Sequence, residues 1–370
     1  MVDSRRVSEL FMEYVRIDSE THFEKEMVER VVADLSALGF EVYTDKAGAL
    51  PRVESNGNNV YAFLPGDPGC EPMLFSSHLD TVTPGRGIEP FIEDGYIRSQ
   101  PDRVLGADCK AGVAAIMEAA RAIIEDGVPH RPIEIIFPIR EESGIAGSAH
   151  LEYDRIRSKV GLVLDASNEP GKFVINAPGQ IRIYADIYGK RSHAGSDPEK
   201  GISAIMAGAR AVANMKLLRI DEETTANVGT LSGIGQTNVV HDIVRFEAEA
   251  RSLDQEKLEA QAQNMIDCLT EACDHYGARL ELTTFQSYKS YKHSPDDPHV
   301  QFLMARCTAA GIKPWATFSG GGTDGNNLNA NGIKCAVMAC GMEMEHTTSE
   351  QVSVQNLYDS ARVVYEIMKK

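Results

Sequence analysis

Four short apolar runs in this chain each lead directly into imidazole or carboxylate side chains. Residues 73–75 lead to His78 and Asp80, residues 133–137 to Glu141 and Glu142, residues 160–164 to Asp165, and residues 335–339 to Glu345 and His346. Runs of this length with little polar alternation read as strands buried on both faces, in a sheet covered by helices. Open α/β sheets bind ligands beyond the carboxyl ends of their strands, so these distant residues are expected to meet in one crevice. Asp108, in Gly106-Ala107-Asp108-Cys109 just ahead of a helix, is placed to join them.

The rest of the chain fits the same architecture. Helical spacing through residues 8–38 predicts two opening helices with Gly39 as a stop, followed by a strand at 60–64 and a helix at 110–125. From Gly179 the rhythm changes: strand 181–188, helix 202–215, strands 226–231 and 244–252, helix 255–276, strand 278–285. That βαββαβ order is a split βαβ unit able to fold by itself. A helix at 300–310, the strand 335–339 and a closing helix at 354–368 then resume the α/β pattern. A length of 370 residues suits two cores. The expectation is an α/β fold whose main mixed-sheet domain comprises residues 1–178 and 293–370, with a ferredoxin-like βαββαβ domain inserted at 179–292.

Composition narrows the function. A net charge of −17 and a pI near 5.1 argue against a nucleic-acid or anionic-membrane partner, which Lys and Arg would have to attract. Residues 1–16 contain no signal-peptide core and no run approaches ~18 apolar residues, so a soluble cytoplasmic protein is expected. The seven cysteines are odd in number, scattered and never spaced as C-x-x-C, which fits reduced thiols rather than disulfides or a thiolate zinc site.

Imidazole and carboxylate without thiolate suit zinc, manganese or cobalt. Two neighbouring cations need a shared carboxylate to hold them ~3.5–4 Å apart, and Asp108 is the candidate. Extended backbone at His78-Leu79-Asp80 places both polar side chains on one face, so the Asp80 carboxylate is expected to accept the second imidazole N–H. Adjacent Glu141 and Glu142 point apart. One of them can bind metal while the other takes a proton from water and hands it to a leaving amine.

Ser77-His78-Leu79-Asp80-Thr81-Val82, Gly106-Ala107-Asp108-Cys109-Lys110-Ala111-Gly112, Glu141-Glu142-Ser143-Gly144, Asp165 and Glu345-His346-Thr347-Thr348-Ser349-Glu350 together resemble the dinuclear-zinc M20 metallopeptidases, specifically their peptidase T-like branch. The resemblance spans nearly the whole chain. It implies a zinc-peptidase catalytic domain with an inserted lid or dimerisation domain. It also implies one zinc held by His78, Asp108 and Asp165, a second held by Asp108, Glu142 and His346, Glu141 as general base, and Asp80 supporting His78. An Asp at position 165 leans toward the family's aminopeptidases, hence hydrolysis of short peptides. An N-acyl amino acid amidohydrolase or carboxypeptidase on the same centre is the alternative, and a non-catalytic metal-binding homologue the third reading.

In the inserted domain, Arg191-Ser192-His193-Ala194-Gly195 resembles the family segment whose His helps polarise the scissile carbonyl, in its own site or that of a homodimer partner. Asn238 and Arg251 match substrate-engaging positions, Arg251 through its planar fork; pairing of Arg251 with a carboxylate of its own domain is the other reading. The loop at residues 320–325 resembles a pocket-lining loop through Gly321, Gly322 and Asp324. Two departures stand out. Gly320 occupies a place where peptidase T carries Arg, so strict tripeptide specificity is not implied, and Cys109 replaces a more usual Asp, Asn or Met without loss of a ligand. His22, His130, His150, His275, His293 and His299 read as structural, and His241 is open.

Overall fold

In the computed structural model, which describes residues 1–370, the four apolar runs are the central strands of a nine-stranded mixed sheet. Ile133–Phe137, Met73–Ser76, Val160–Ala166 and Lys334–Ala339 lie side by side in that order, all parallel. Every residue of Met73–Ser76 and Ile133–Phe137 is buried, which is why neither strand alternates. Antiparallel strands flank this core: Val60–Leu64 and then Glu41–Thr44 on one side, Lys172–Ala177 on the other, with Trp315–Phe318 added in parallel to the last.

The helix Ala107–Asp126 is buried almost all round, and its many alanines let it lie close to the sheet. Asp108 and Cys109 depart from helical geometry, so the regular helix begins at Lys110. It stops at Gly127, whose φ of 62° is the left-handed cap that glycine adopts without strain. The helices Ser4–Val15 and Val354–Met368 pack against it. A Cβ on Gly112 would stand 2.5 Å from Ser77 Oγ and 2.7 Å from the Leu164 carbonyl, so glycine sets the approach of helix to sheet. Gly112→Ala is expected to lower stability by about 1–3 kcal/mol through overpacking, despite the ~1 kcal/mol that alanine gains in a helix. A urea midpoint at or above wild type would show that the helix can stand further off.

A second, small sheet pairs Met342–Glu343 with Gln351–Ser353 as a hairpin, extended by Tyr96–Arg98 and Phe91–Glu93. These two sheets and their helices belong to one compact unit, Met1–Asn176 with Lys292–Ser319 and Thr323–Lys370.

The other unit comprises Ala177–Tyr291 and Gly320–Gly322, the last segment coming from beyond the expected insertion. Its order is strand Gly179–Tyr188, helix Ala204–Asn214, strands Thr224–Ser232 and Ile243–Ser252, helix Gln255–Tyr276 and strand Arg279–Tyr288. The sheet is antiparallel, with Ile243–Ser252 and Arg279–Tyr288 on either side of Gly179–Tyr188. Burial alternates along Ile243–Ser252, as expected for a sheet covered by helices on one face, and Ile183, Phe246, Met265 and Leu269 form the core there. No helix of the chain is long and apolar enough to cross a membrane.

Candidate active site

Ile136, Ser76, Val163 and Val337 stand in one row across the four parallel strands. The register therefore brings the carboxyl ends to a common edge, from which His78, the Glu141-Glu142 loop, Asp165 and the hairpin bearing His346 emerge.

His78 is 1% exposed, and its Nδ1 lies 2.9 Å from the Asp80 backbone carbonyl. A carbonyl only accepts, so Nδ1 carries the proton and donates it there. The sequence expectation is corrected at this point: the Asp80 carboxylate is 3.5 Å from that nitrogen, and the carbonyl takes the closer contact because the carboxylate is committed to other donors. The carboxylate instead accepts the backbone N–H groups of Glu141 at 2.8 Å and Glu142 at 3.2 Å and the Thr21 hydroxyl at 2.7 Å. Asp80 thus grips the turn that presents both glutamates, a turn entered through Arg140 at φ 57°. Burial opposes its ionisation, but His78 and these donors hold it below the ordinary carboxylate range. Thr21 was not legible as part of this site from sequence, because its hydroxyl meets Asp80 only through folding of distant segments.

With the proton on Nδ1, the lone pair of His78 Nε2 points toward Asp108 Oδ1 at 3.1 Å and Asp165 Oδ1 at 3.5 Å. His346 Nε2 lies 3.1 Å from Asp108 Oδ2 and 2.9 Å from Glu142 Oε2. Asp108 therefore offers one oxygen to each imidazole. The donor atoms of His78, Asp108 and Asp165 form one group and those of Asp108, Glu142 and His346 another, each spanning no more than 4.8 Å. Glu142 Oε1 is buried without a hydrogen-bond partner. A lone pair facing carboxylates, and an orphaned carboxylate oxygen beside them, fit a divalent cation in each group. Cys109 adjoins the first group, but its Sγ donates to the Leu164 carbonyl at 2.8 Å, and burial pushes the thiol well up, so it stays protonated.

The electrostatics agree with that fit. Burial, reinforced by Asp108, pushes Glu142 up to about 7, and burial pushes Asp165 up to about 7 against the pull of His78. Burial also opposes ionisation of Asp108, but hydrogen bonds with His346 and His78 hold it well below the usual range. Asp108 and then Glu142 raise the His346 imidazole to about 11, and a cation at that point takes the place of its proton. Glu141 belongs to neither donor group, and its carboxyl is pushed up by burial and by Asp165.

The reading of residues 320–325 as a loop needs correction, because Thr323 caps a helix, Asp324–Ala330, in a capping box with Asn326. Asp324 is fully buried, and its charge acts on both Glu141 and Asp165. Gly321 and Gly322 belong to the smaller unit, where a Cβ on Gly322 would come within 2.3 Å of the Tyr288 ring.

Also in the smaller unit, the exposed His193 accepts the N–H groups of Gly195 and Ser196 on Nδ1 at 3.1 and 3.0 Å, so Nε2 carries the proton. The Asn238 carbonyl accepts the Ala194 N–H at 2.9 Å and its side chain is exposed. Arg251 sets Nε and Nη2 on Glu249 at 2.8 and 3.2 Å, with Nη1 3.4 Å from the Gly320 carbonyl. Its fork is thus engaged by a carboxylate of its own sheet.

Residues 74–370 match the model of peptidase family M20/M25/M40. An uncharacterized protein of Bacillus subtilis (strain 168), YqjE, is 38% identical over 100% of this chain and 99% of its own length. The crystal structure of aminopeptidase PepT from Bacillus cereus ATCC 10987 superposes with a TM-score of 0.93 at 40% identity, covering 99% of this chain and 98% of that one. A tripeptidase from Staphylococcus aureus subsp. aureus mu50 gives a TM-score of 0.96 at 36% identity, covering 100% and 98%. The family is metal-dependent, and the clustered imidazoles and carboxylates form a candidate metal-binding centre. On both sequence and fold, this chain belongs to peptidase family M20/M25/M40, within its peptidase T-like branch.

Proposed function

We propose that the protein is an aminopeptidase acting on short peptides. His78, Asp108 and Asp165 would hold one divalent ion and Asp108, Glu142 and His346 the other, zinc being the ion the family resemblance implies and manganese or cobalt suiting the same donors. Such a pair supplies Lewis acidity to the scissile carbonyl and to the attacking water. Glu141 takes the proton of that water and delivers it to the leaving amine nitrogen. Asp80 keeps Glu141 and Glu142 in register by holding their backbone N–H groups. His193, a donor at Nε2, polarises the carbonyl oxygen, and Asn238, Gly321 and Gly322 engage the peptide, joined by Arg251 when a substrate carboxylate takes the place of Glu249, while the buried Asp324 acts on Glu141 through its charge. The inserted unit serves as lid and as the surface of a homodimer.

The observation that carries this reading is the placement of Asp108 between two imidazoles, with Glu141 left outside both donor groups. The aminopeptidase assignment draws on the structural relatives named as aminopeptidase and tripeptidase. Metal-replete protein should cleave di-, tri- or tetrapeptides with a free amino terminus and leave N-acyl amino acids intact. Product analysis by mass spectrometry decides: hydrolysis of the blocked compounds alone would make it an amidohydrolase.

A further inference from the structure

We propose that Glu350 is a positioning residue for Asp108 and, through it, couples the two cation sites. The idea rests on the reading of Asp108 as a shared ligand. Residues 344–350 form the turn of the hairpin in which Met342 pairs with Val352 and Glu343 with Gln351. His346 sits in that turn at φ 61°. Glu350, at the foot of the turn, is 2% exposed. One of its carboxylate oxygens accepts the Gly106 N–H at 2.6 Å and the other the Asp108 N–H at 2.9 Å.

Those two N–H groups lie where the chain enters the helix Ala107–Asp126. Donors at a helix start have no carbonyl one turn back to bond to, so an external acceptor is required. Gly106 has φ 74° and Asp108 ψ 102°, a path held from outside rather than by the helix itself. Glu350 therefore grips the backbone of Asp108 while the side chain of Asp108 faces both imidazoles. The same turn is anchored at its other end by a hydrogen bond between Glu345 and Ser167, two residues beyond Asp165. One turn thus bears a ligand of one donor group and the clamp on the ligand common to both. Glu350 itself supplies no donor atom to either group.

The test uses full-length protein stripped with chelator and titrated with zinc by calorimetry, alongside thermal unfolding with and without zinc. Wild type should bind two ions. Glu350→Gln presents an N–H toward one of the two N–H donors, and Glu350→Asp stops one methylene short of them. Each variant should weaken zinc binding by ~10–100-fold, the usual cost of losing an outer partner of a ligand, and shrink the zinc-induced rise in unfolding temperature. A merely structural cap would lower the unfolding temperature of metal-free protein while zinc affinity and the zinc-induced rise matched wild type, and that result would overturn the proposal. If the Gln variant does not fold, the Asp variant carries the test by the same readouts. Failure of wild type to bind two ions would overturn the reading of the cluster, and this proposal with it, without any reference to the variants.

Discussion

Protein carrying Glu141→Ala is expected to retain its metal ions and to turn over peptide more slowly by ~10²–10⁴-fold, the contribution usual for a positioned general base. The expectation follows from the separation of duties at the Asp80 clamp. The backbone N–H groups of Glu141 and Glu142 bind opposite oxygens of one carboxylate, yet only Glu142 approaches an imidazole, at 2.9 Å from His346. Truncating Glu141 therefore removes a proton acceptor without removing a donor atom from either group. Metal content and kcat should be measured on the same preparation. Unchanged turnover would take Glu141 out of the mechanism, and a lost ion would make it a ligand instead.

Asp108→Ala should do the opposite and abolish activity by abolishing metal retention. Its two oxygens stand 3.1 Å from His78 Nε2 and 3.1 Å from His346 Nε2, so both donor groups lose a member at once. His346→Ala, by contrast, disturbs only the group it shares with Asp108 and Glu142. The loss of affinity for Asp108→Ala should exceed the ~10–100-fold typical of an outer partner. Dialysed Asp108→Ala protein should contain no zinc by elemental analysis, and zinc should not raise its unfolding temperature, since stabilisation by a ligand requires binding to the native state. Retention of two ions would remove Asp108 from the bridge.

The elements that were legible in the sequence share a physical trait. Val60–Leu64, Ile133–Phe137, Gln255–Tyr276 and Val354–Met368 fall at the bounds that their apolar periodicity predicts, because burial of their side chains is what forms them. Glu41–Thr44, Lys172–Ala177, Trp315–Phe318 and the hairpin Met342–Glu343 with Gln351–Ser353 were not anticipated. Glu41–Thr44 and Trp315–Phe318 contain no buried residue, and strands of this kind owe their conformation to the ladder of a neighbour. Asp324 illustrates the same limit at the site: the glycines before it read as a loop, while the burial of its carboxylate depends on packing from elsewhere in the chain.

The sequence alone determined which acids and imidazoles meet in the candidate site, since side chains following buried parallel strands emerge at one edge of the sheet. Only the tertiary structure decided how they are held. It set the row from Ile136 to Val337, moved the His78 hydrogen bond to the Asp80 carbonyl, and gave the Asp80 and Glu350 carboxylates to backbone N–H groups far away in the chain. Hydrogen bonds of that kind depend on distances between segments, and spacing along a chain does not encode those distances until the core has packed.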